Sequence, residues 1–353
     1  MVITAPPDEP AATRGSMYFG FPERFNRYYT DENYTSSATI FVSPSGGGDG
    51  ATAATPTTPS EALAQSAPGT HIQFAAGTYD GCYELDDSHS GTYEAPIVLS
   101  GTRGATGEFL TVINCCGSGR QTCINLEGAN YVAVDGFELV GGNYGVRAVG
   151  AGYPADQHQR GIAVLNNVGH GQDRDPFFTG QSDWYVIENN VAYDAGSGDG
   201  HGIYLSNGSD WMIVRGNETF NNVSSDFQIN ADPASTCADD GVAYNDVECD
   251  AVAGSHATGG RGASDFVLVE NNFFHHGLAQ GANFTSVRRS LVRNNIFAIY
   301  ARHGVSFWQE TDNPLLGARD NVVVHNLFVT SAANRQAVQF VVDSTGNTFA
   351  NNV

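Results

Sequence analysis

The 353 residues carry 38 acidic against 16 basic side chains, a formal net charge of −22, and all 16 of those basic residues are arginine. A chain without lysine excludes Schiff-base chemistry, a lysine general base and a phosphate-loop lysine, and one this acidic has no basic patch to release counterions from nucleic acid or to hold an anionic membrane. With 15% charged residues, 42 glycines and few helix formers, the composition favours strands and turns.

Residues 1–16, rich in Pro and Ala after Met1, read as a flexible linker and a mature N-terminus with its leader removed. Residues 17–37 form an aromatic-rich leader with Tyr18, Phe19, Phe21, Phe25, Tyr28, Tyr29 and Tyr34. Rings at that density are expected to pack along the flank of the domain that follows, residues 38–353. That domain opens with a strand running into a Gly-rich turn, ATIFVSPSGGG (38–48). Thr58-Pro59-Ser60-Glu61 then makes a capping box with Pro at the first helical position, which predicts a short helix over about 59–66 covering one end of the fold. The first strand repeats follow in HIQFAAGTYDG and APIVLSG.

The second half carries a column of asparagines. WYVIENN (184–190), WMIVRGN (211–217), FVLVENN (266–272), LVRNN (291–295), VVVHN (322–326) and TFANN (348–352) each set an apolar, β-branched run before an Asn. Asn190, Asn217, Asn272, Asn295, Asn326 and Asn352 stand 27, 55, 23, 31 and 26 residues apart, so one step is doubled or carries an insertion. Repeats of this length with short strands and no helical period define a stacked β-solenoid, in which no coil buries its apolar face alone. Asn tolerates the left-handed conformation of a sharp corner, and its amide can bond the coils above and below as a ladder. These residues are expected to be scaffold. So are the charge pairs beside the corner, Glu188 with Arg215 and Glu270 with Arg293.

Six cysteines lack paired metal-ligand spacing and point to an oxidising, extracellular or cell-surface setting. Proximity pairs Cys237 with Cys249 and leaves Cys82, Cys115, Cys116 and Cys123 to pair among themselves. No apolar run is long enough to insert in a membrane.

IFVSPSG, the Pro-initiated helix, PGTHIQFAAGTY, APIVLSG, HGIYLSNGSDWMIVRGN and the repeated NN corners together resemble the secreted right-handed parallel β-helix proteins of the pectate-lyase-like superfamily, over about residues 38–353. The resemblance implies an all-β right-handed parallel β-helix with a short N-terminal capping helix, and no one chemistry. The superfamily holds polysaccharide lyases, glycoside hydrolases, epimerases, phage tailspikes and adhesins. Its lyases commonly use a Lys or Arg base near bound Ca²⁺, and this chain has no Lys version to offer.

A second column lies between the corners, in strands 202–205, 227–230, 282–285, 305–308 and 338–341. Period two turns Ile203, Leu205, Phe227, Ile229, Phe284 and Phe307 inward, and Tyr204, Gln228, Asn230, Asn283, Thr285, Ser306, Trp308 and Gln339 outward. Planar amides for hydroxyls and aromatic rings for apolar sugar faces suit an extracellular polysaccharide. Ionizable groups crowd the strand ends: Asp199, His201, Asp226, Arg302, His303 and Glu310. His201, His303 or Arg302 as base with Tyr204 as acid predicts β-elimination of a uronic-acid polymer. Arg288 and Arg289 add a positive spot for a substrate carboxylate. The loop 230–250, with Asp232, Asp239 and Asp240 among its oxygens, is a candidate Ca²⁺ site, and no organic cofactor is implied. The rival expectations are a glycoside hydrolase using two of Asp199, Asp226 and Glu310, and a structural or adhesive filament subunit without catalysis. The chain stops inside a repeat at Val353, so further coils or self-association through an open end are expected there.

Overall fold

The computed structural model describes residues 25–115, 121–150, 158–196, 199–232, 263–309, 316–330 and 335–353. Among them, three parallel sheets of eleven, nine and nine strands run the length of the chain, each strand pairing with its counterpart one coil before and one coil after. A coil such as the one holding Asn190 passes from Val186–Glu188 in the first sheet to Val191–Tyr193 in the second, then to Ile203–Ser206 in the third. This is a right-handed parallel β-helix. The core is built of side chains stacked on their equivalents, such as Phe274 on Phe297 on Phe328 and Phe284 on Phe307, with ring centroids 4.9–5.2 Å apart; the second stack ends on the exposed Phe340.

The asparagines form the expected ladder. The backbone N–H and Nδ2 of Asn190 both donate to Oδ1 of Asn217, those of Asn217 to Asn272, and the pattern continues through Asn295 and Asn326 to Asn352 at 2.8–3.1 Å. Each of these Nδ2 groups from Asn190 to Asn352 also reaches a carbonyl of the preceding coil, as Asn272 does to Val214 at 3.0 Å. The 55-residue step is therefore one coil with an insertion, not two coils. The NN corner divides the labour expected of one residue. The buried second Asn makes the ladder, while the first takes the left-handed turn, at φ 57° for Asn189, 58° for Asn271 and 55° for Asn294.

Thr58 and Glu61 cap a helix at Pro59–Ala64 in a reciprocal capping box, and Ala62 and Leu63 close the apolar N-terminal end. The described part of the leader lies on the outer face of the first sheet. Phe25 and Tyr29 are buried against Trp184 and its neighbours, and the Tyr29 hydroxyl donates to Glu188 at 2.8 Å. The expected charge pairs form there: Arg215 bridges Glu188 (3.3 Å) and Glu270 (2.7 Å), and Arg293 meets Glu270 at 2.6 Å. Tyr18, Phe19 and Phe21 lie outside the described residues.

Cys82 pairs with Cys115 across two coils. The expected local pairing of Cys123 is corrected: its sulfur is buried and sits 3.6 Å from the Val140 carbonyl, where it packs in the core column. Cys116, Cys237 and Cys249 lie outside the described residues. No helix among the described residues is long and apolar enough to cross a membrane.

Asn272→Ala removes the acceptor of Asn217 and the donor to Val214, leaving buried groups unpaired. It is expected to lower unfolding stability by about 2–5 kcal/mol. Asn271→Gly, at an exposed left-handed position, is expected to change it by only a few tenths of a kcal/mol. Equilibrium denaturation of the two variants checks this.

Candidate functional site

Alternation in the third sheet follows the pattern in the sequence. Ile203, Leu205, Phe227, Ile229, Phe284 and Phe307 are buried inside, and Tyr204, Gln228, Asn283 and Ser306 form one outward column, in register from coil to coil. Outward is not the same as exposed, however. Stacked neighbours ~4.8 Å away close over most of the column, so Asn230, Asn283 and Ser306 are buried and Thr285 is 0% exposed.

A cleft of about 480 Å³ opens where these strands begin, lined by Arg174, Asp199, His201, Tyr204, Gln228, Leu278, Asn283 and Arg302 among others. Six of the expected site residues thus meet in one place: Asp199, His201, Tyr204, Gln228, Asn283 and Arg302.

His201 is held from both sides. Its backbone N–H donates to Asp175 Oδ1 (2.8 Å) in the preceding coil, and its Nδ1 donates to the Ser225 carbonyl (3.2 Å) in the following one. With the proton fixed on Nδ1, Nε2 is the acceptor nitrogen. Burial lowers the ring's pKa to about 4, so the imidazole is neutral at ordinary pH. The Tyr204 ring stands edge-on to it, with centroids 4.9 Å apart. Gly202 between the two is required by space: a Cβ there would meet the Asp226 carbonyl at 2.7 Å and Asn222 Nδ2 at 2.8 Å.

Asn283 Nδ2 donates to Gln228 Oε1 at 2.9 Å, while Asn283 Oδ1 is buried without a partner among the described residues. The Arg174 guanidinium lies 5.9 Å from the Tyr144 ring centroid, and its nearest carboxylate is Asp175 at 4.0 Å. Arg302 is exposed and forms no ion pair among the described residues. Leu278 at the rim is 60% exposed, an apolar surface beside polar groups.

Two carboxyls stand behind the cleft. Asp175 is fully buried, and desolvation raises its pKa to about 7. Asp226 is fully buried too; desolvation holds its pKa well above the usual range, while Asn222 Nδ2 donates to it at 2.7 Å. Asp226 therefore does not line the cleft as the expected carboxylate.

Other expected residues fall elsewhere. His303 is buried, its pKa lowered chiefly by burial, and its Nδ1 accepts the Gln336 N–H at 3.1 Å. Asn230, Thr285, Ser306 and the half-buried Trp308 lie outside the cleft lining. Arg288 and Arg289 both turn to buried Asp265, and Arg289 also covers the Phe266 ring, so the positive spot is spent on the scaffold. Asp232 is described, its N–H donating to Asn230 Oδ1, whereas Asp239, Asp240 and Glu310 lie outside the described residues. Among the described residues no three His, Cys, Asp or Glu side chains converge to hold a metal. Among the described lining residues, the cleft offers one exposed carboxylate, Asp199, beside two guanidiniums.

Arg174 and Asp175 escaped the sequence reading. The signal was present in HGQDRDPFFTG (170–180), because the register pairing Phe177 with Ile203 sets Asp175 opposite His201.

No protein-family model and no curated relative matches the chain by sequence. Solved structures similar to it include the pectate lyase Pel9A (TM-score 0.55, 14% identity, covering 91% of this chain and 79% of that one). A rhamnogalacturonan lyase (0.54, 12%, 89% and 87%) and an alginate lyase from a Paenibacillus species (0.50, 14%, 90% and 98%) are also similar. These likenesses show the fold, a right-handed parallel β-helix.

The raised Asp175 predicts a pH effect. The folded state holds this proton up to about pH 7 while the unfolded chain releases it near 3.8, so stability from this group is full below 3.8 and is lost as pH rises through 7. Asp175→Asn is expected to gain stability relative to the parent between about pH 4 and 7, seen in denaturation curves across that range.

Proposed function

We propose that the protein is an extracellular polysaccharide lyase that cleaves a uronic-acid polymer by β-elimination at this cleft. The observation that carries the proposal is His201: a neutral imidazole, its Nδ1 proton pinned to Ser225 and Nε2 left as acceptor, in a cleft with unspent guanidiniums. His201 Nε2 takes the proton on the sugar carbon next to the carboxyl group. The electron pair left behind forms the C4–C5 double bond and breaks the C4–O bond, and the departing oxygen takes a proton from the Tyr204 hydroxyl. A docked uronate carboxylate raises the basicity of the buried ring, which counters its low pKa in the free protein. Gln228 and Asn283 face the sugar hydroxyls, and Leu278 an apolar sugar face. The lyases among the similar structures, which act on pectate, alginate and rhamnogalacturonan by their names, agree with this substrate class. The Cys82–Cys115 disulfide agrees with an oxidising compartment.

Hydrolysis is disfavoured by the carboxylates. It needs two flanking one bond, and Asp199 is the one exposed carboxylate lining the cleft among the described residues.

Absorbance near 235 nm on a panel of uronate polymers detects the unsaturated product. His201→Ala is expected to lower turnover by about 10²–10⁴-fold while polymer binding persists. The acid limb of kcat/KM is expected near pH 4 rather than 6.5, because burial sets the free protein's base there. New reducing ends without 235 nm absorbance indicate hydrolysis, and silence in both assays indicates a binding or structural protein.

A further inference from the structure

Arg174 and Arg302 line the same cleft from different coils. The strands they precede, Asp175–Gly180 and Val305–Trp308, are separated by the coils of Ile203–Ser206, Phe227–Asn230 and Ala282–Thr285. Four inter-coil steps of ~4.8 Å put their backbones roughly 19 Å apart along the axis, with the cleft between them. Their charges act on different neighbours. The Arg174 charge bears on His201, one coil away, and the Arg302 charge on His303.

Both guanidiniums stand without a close carboxylate in a chain of net charge −22, as Arg103, Arg160 and Arg335 also do among the described residues, but these two line the cleft that holds His201. Arg147, Arg215, Arg288, Arg289 and Arg293 are each in close contact with a carboxylate. Arg302 has no such partner among the described residues, and Arg174 has only Asp175 at 4.0 Å, a carboxyl that burial keeps largely protonated up to about pH 7. Between them stands Asn283, a lining residue whose buried Oδ1 has no hydrogen-bond partner among the described residues. The remaining cleft charge is Asp199, so the lining carries two positive groups against one negative.

We propose that the cleft is a two-point carboxylate clamp that works without a divalent cation. Arg174 neutralises the carboxylate of the sugar whose proton His201 removes, and Arg302 holds the carboxylate of a second uronate further along the same chain. The clamp rests on the reading of the cleft as a uronate site. It takes over the neutralising role a bound cation would have, and it makes the protein a reader of chain length: a dimer reaches Arg174 alone, and a hexamer reaches both.

The test is calorimetric binding in a His201→Ala background, with dimers and hexamers prepared from pectate, from alginate and from a glucuronate polymer. At least one hexamer is expected to bind with a Kd that agrees within about twofold in EDTA and in added CaCl₂. Arg302→Ala is expected to weaken that hexamer about tenfold and leave the corresponding dimer unchanged, whereas Arg174→Ala weakens both about tenfold. Arg174→Gln keeps the side-chain stem near Tyr144 and serves if the alanine variant fails to fold. Binding abolished by EDTA and restored by calcium, equal losses for dimer and hexamer on Arg302→Ala, or no hexamer bound overturns the clamp. The clamp and the elimination chemistry fail separately. Arg-dependent binding without unsaturated product from the parent protein leaves the clamp standing and removes the lyase. Unsaturated product with Arg variants that bind like the His201→Ala parent does the reverse.

Discussion

Parallel stacking in fixed register is the constraint on which the rest of this molecule depends. A coil has no core of its own, so each strand is defined by the strand before and after it, and the asparagine ladder locks that relation at the sharpest corner. One amide oxygen there receives both a backbone N–H and a side-chain N–H from the preceding coil. A slip by one residue would break both bonds and turn every apolar side chain outward. The 55-residue step shows the strength of the rule: Asn217 bonds Asn272 as the other corners bond their neighbours, without a change in register.

The same register builds the cleft. His201 is held through a carboxyl in one neighbouring coil and a carbonyl in the other, so its orientation is set by stacking and not by its own loop. This support places costly groups inside the protein. Asp175 and Asp226 are carboxyls with no access to water, kept toward the protonated form by desolvation. A merely structural corner is served by uncharged Asn, as the ladder from Asn190 to Asn217 demonstrates.

Much of this was legible in the sequence because the period is long and the marker is polar. The NN corners give the first sheet, the Thr58–Glu61 box gives the end cap, and alternation gives the inside of the third sheet. The second sheet was not legible. Its strands, such as Val191–Tyr193 and Glu218–Phe220, are three residues long with one inward side chain each, too short to show a period. Nor did alternation reveal burial: Thr285 points away from the core and is still closed off, because exposure depends on what the adjacent coils carry. Arg288 and Arg289 looked available in the sequence for the same reason, since their partner Asp265 lies one coil away.

Solenoid geometry also limits what a groove on this face can recognise. Successive coils repeat at ~4.8 Å, close to the repeat of a pyranose chain, so a polymer lying along the axis meets one coil per sugar. On the proposed reading, side chains in the outward column act as successive subsites, and the order of residues along it is an order of contacts along the substrate. Tyr204, Gln228 and Asn283 occupy consecutive coils, with Arg174 before them and Arg302 after. On a strongly acidic rod, a polyanion is repelled everywhere except where positive charge stands unneutralised. On the proposed reading, the two arginines mark the ends of the described stretch in which that condition and the His201 base meet, and their spacing sets how far a uronate chain must extend to touch both.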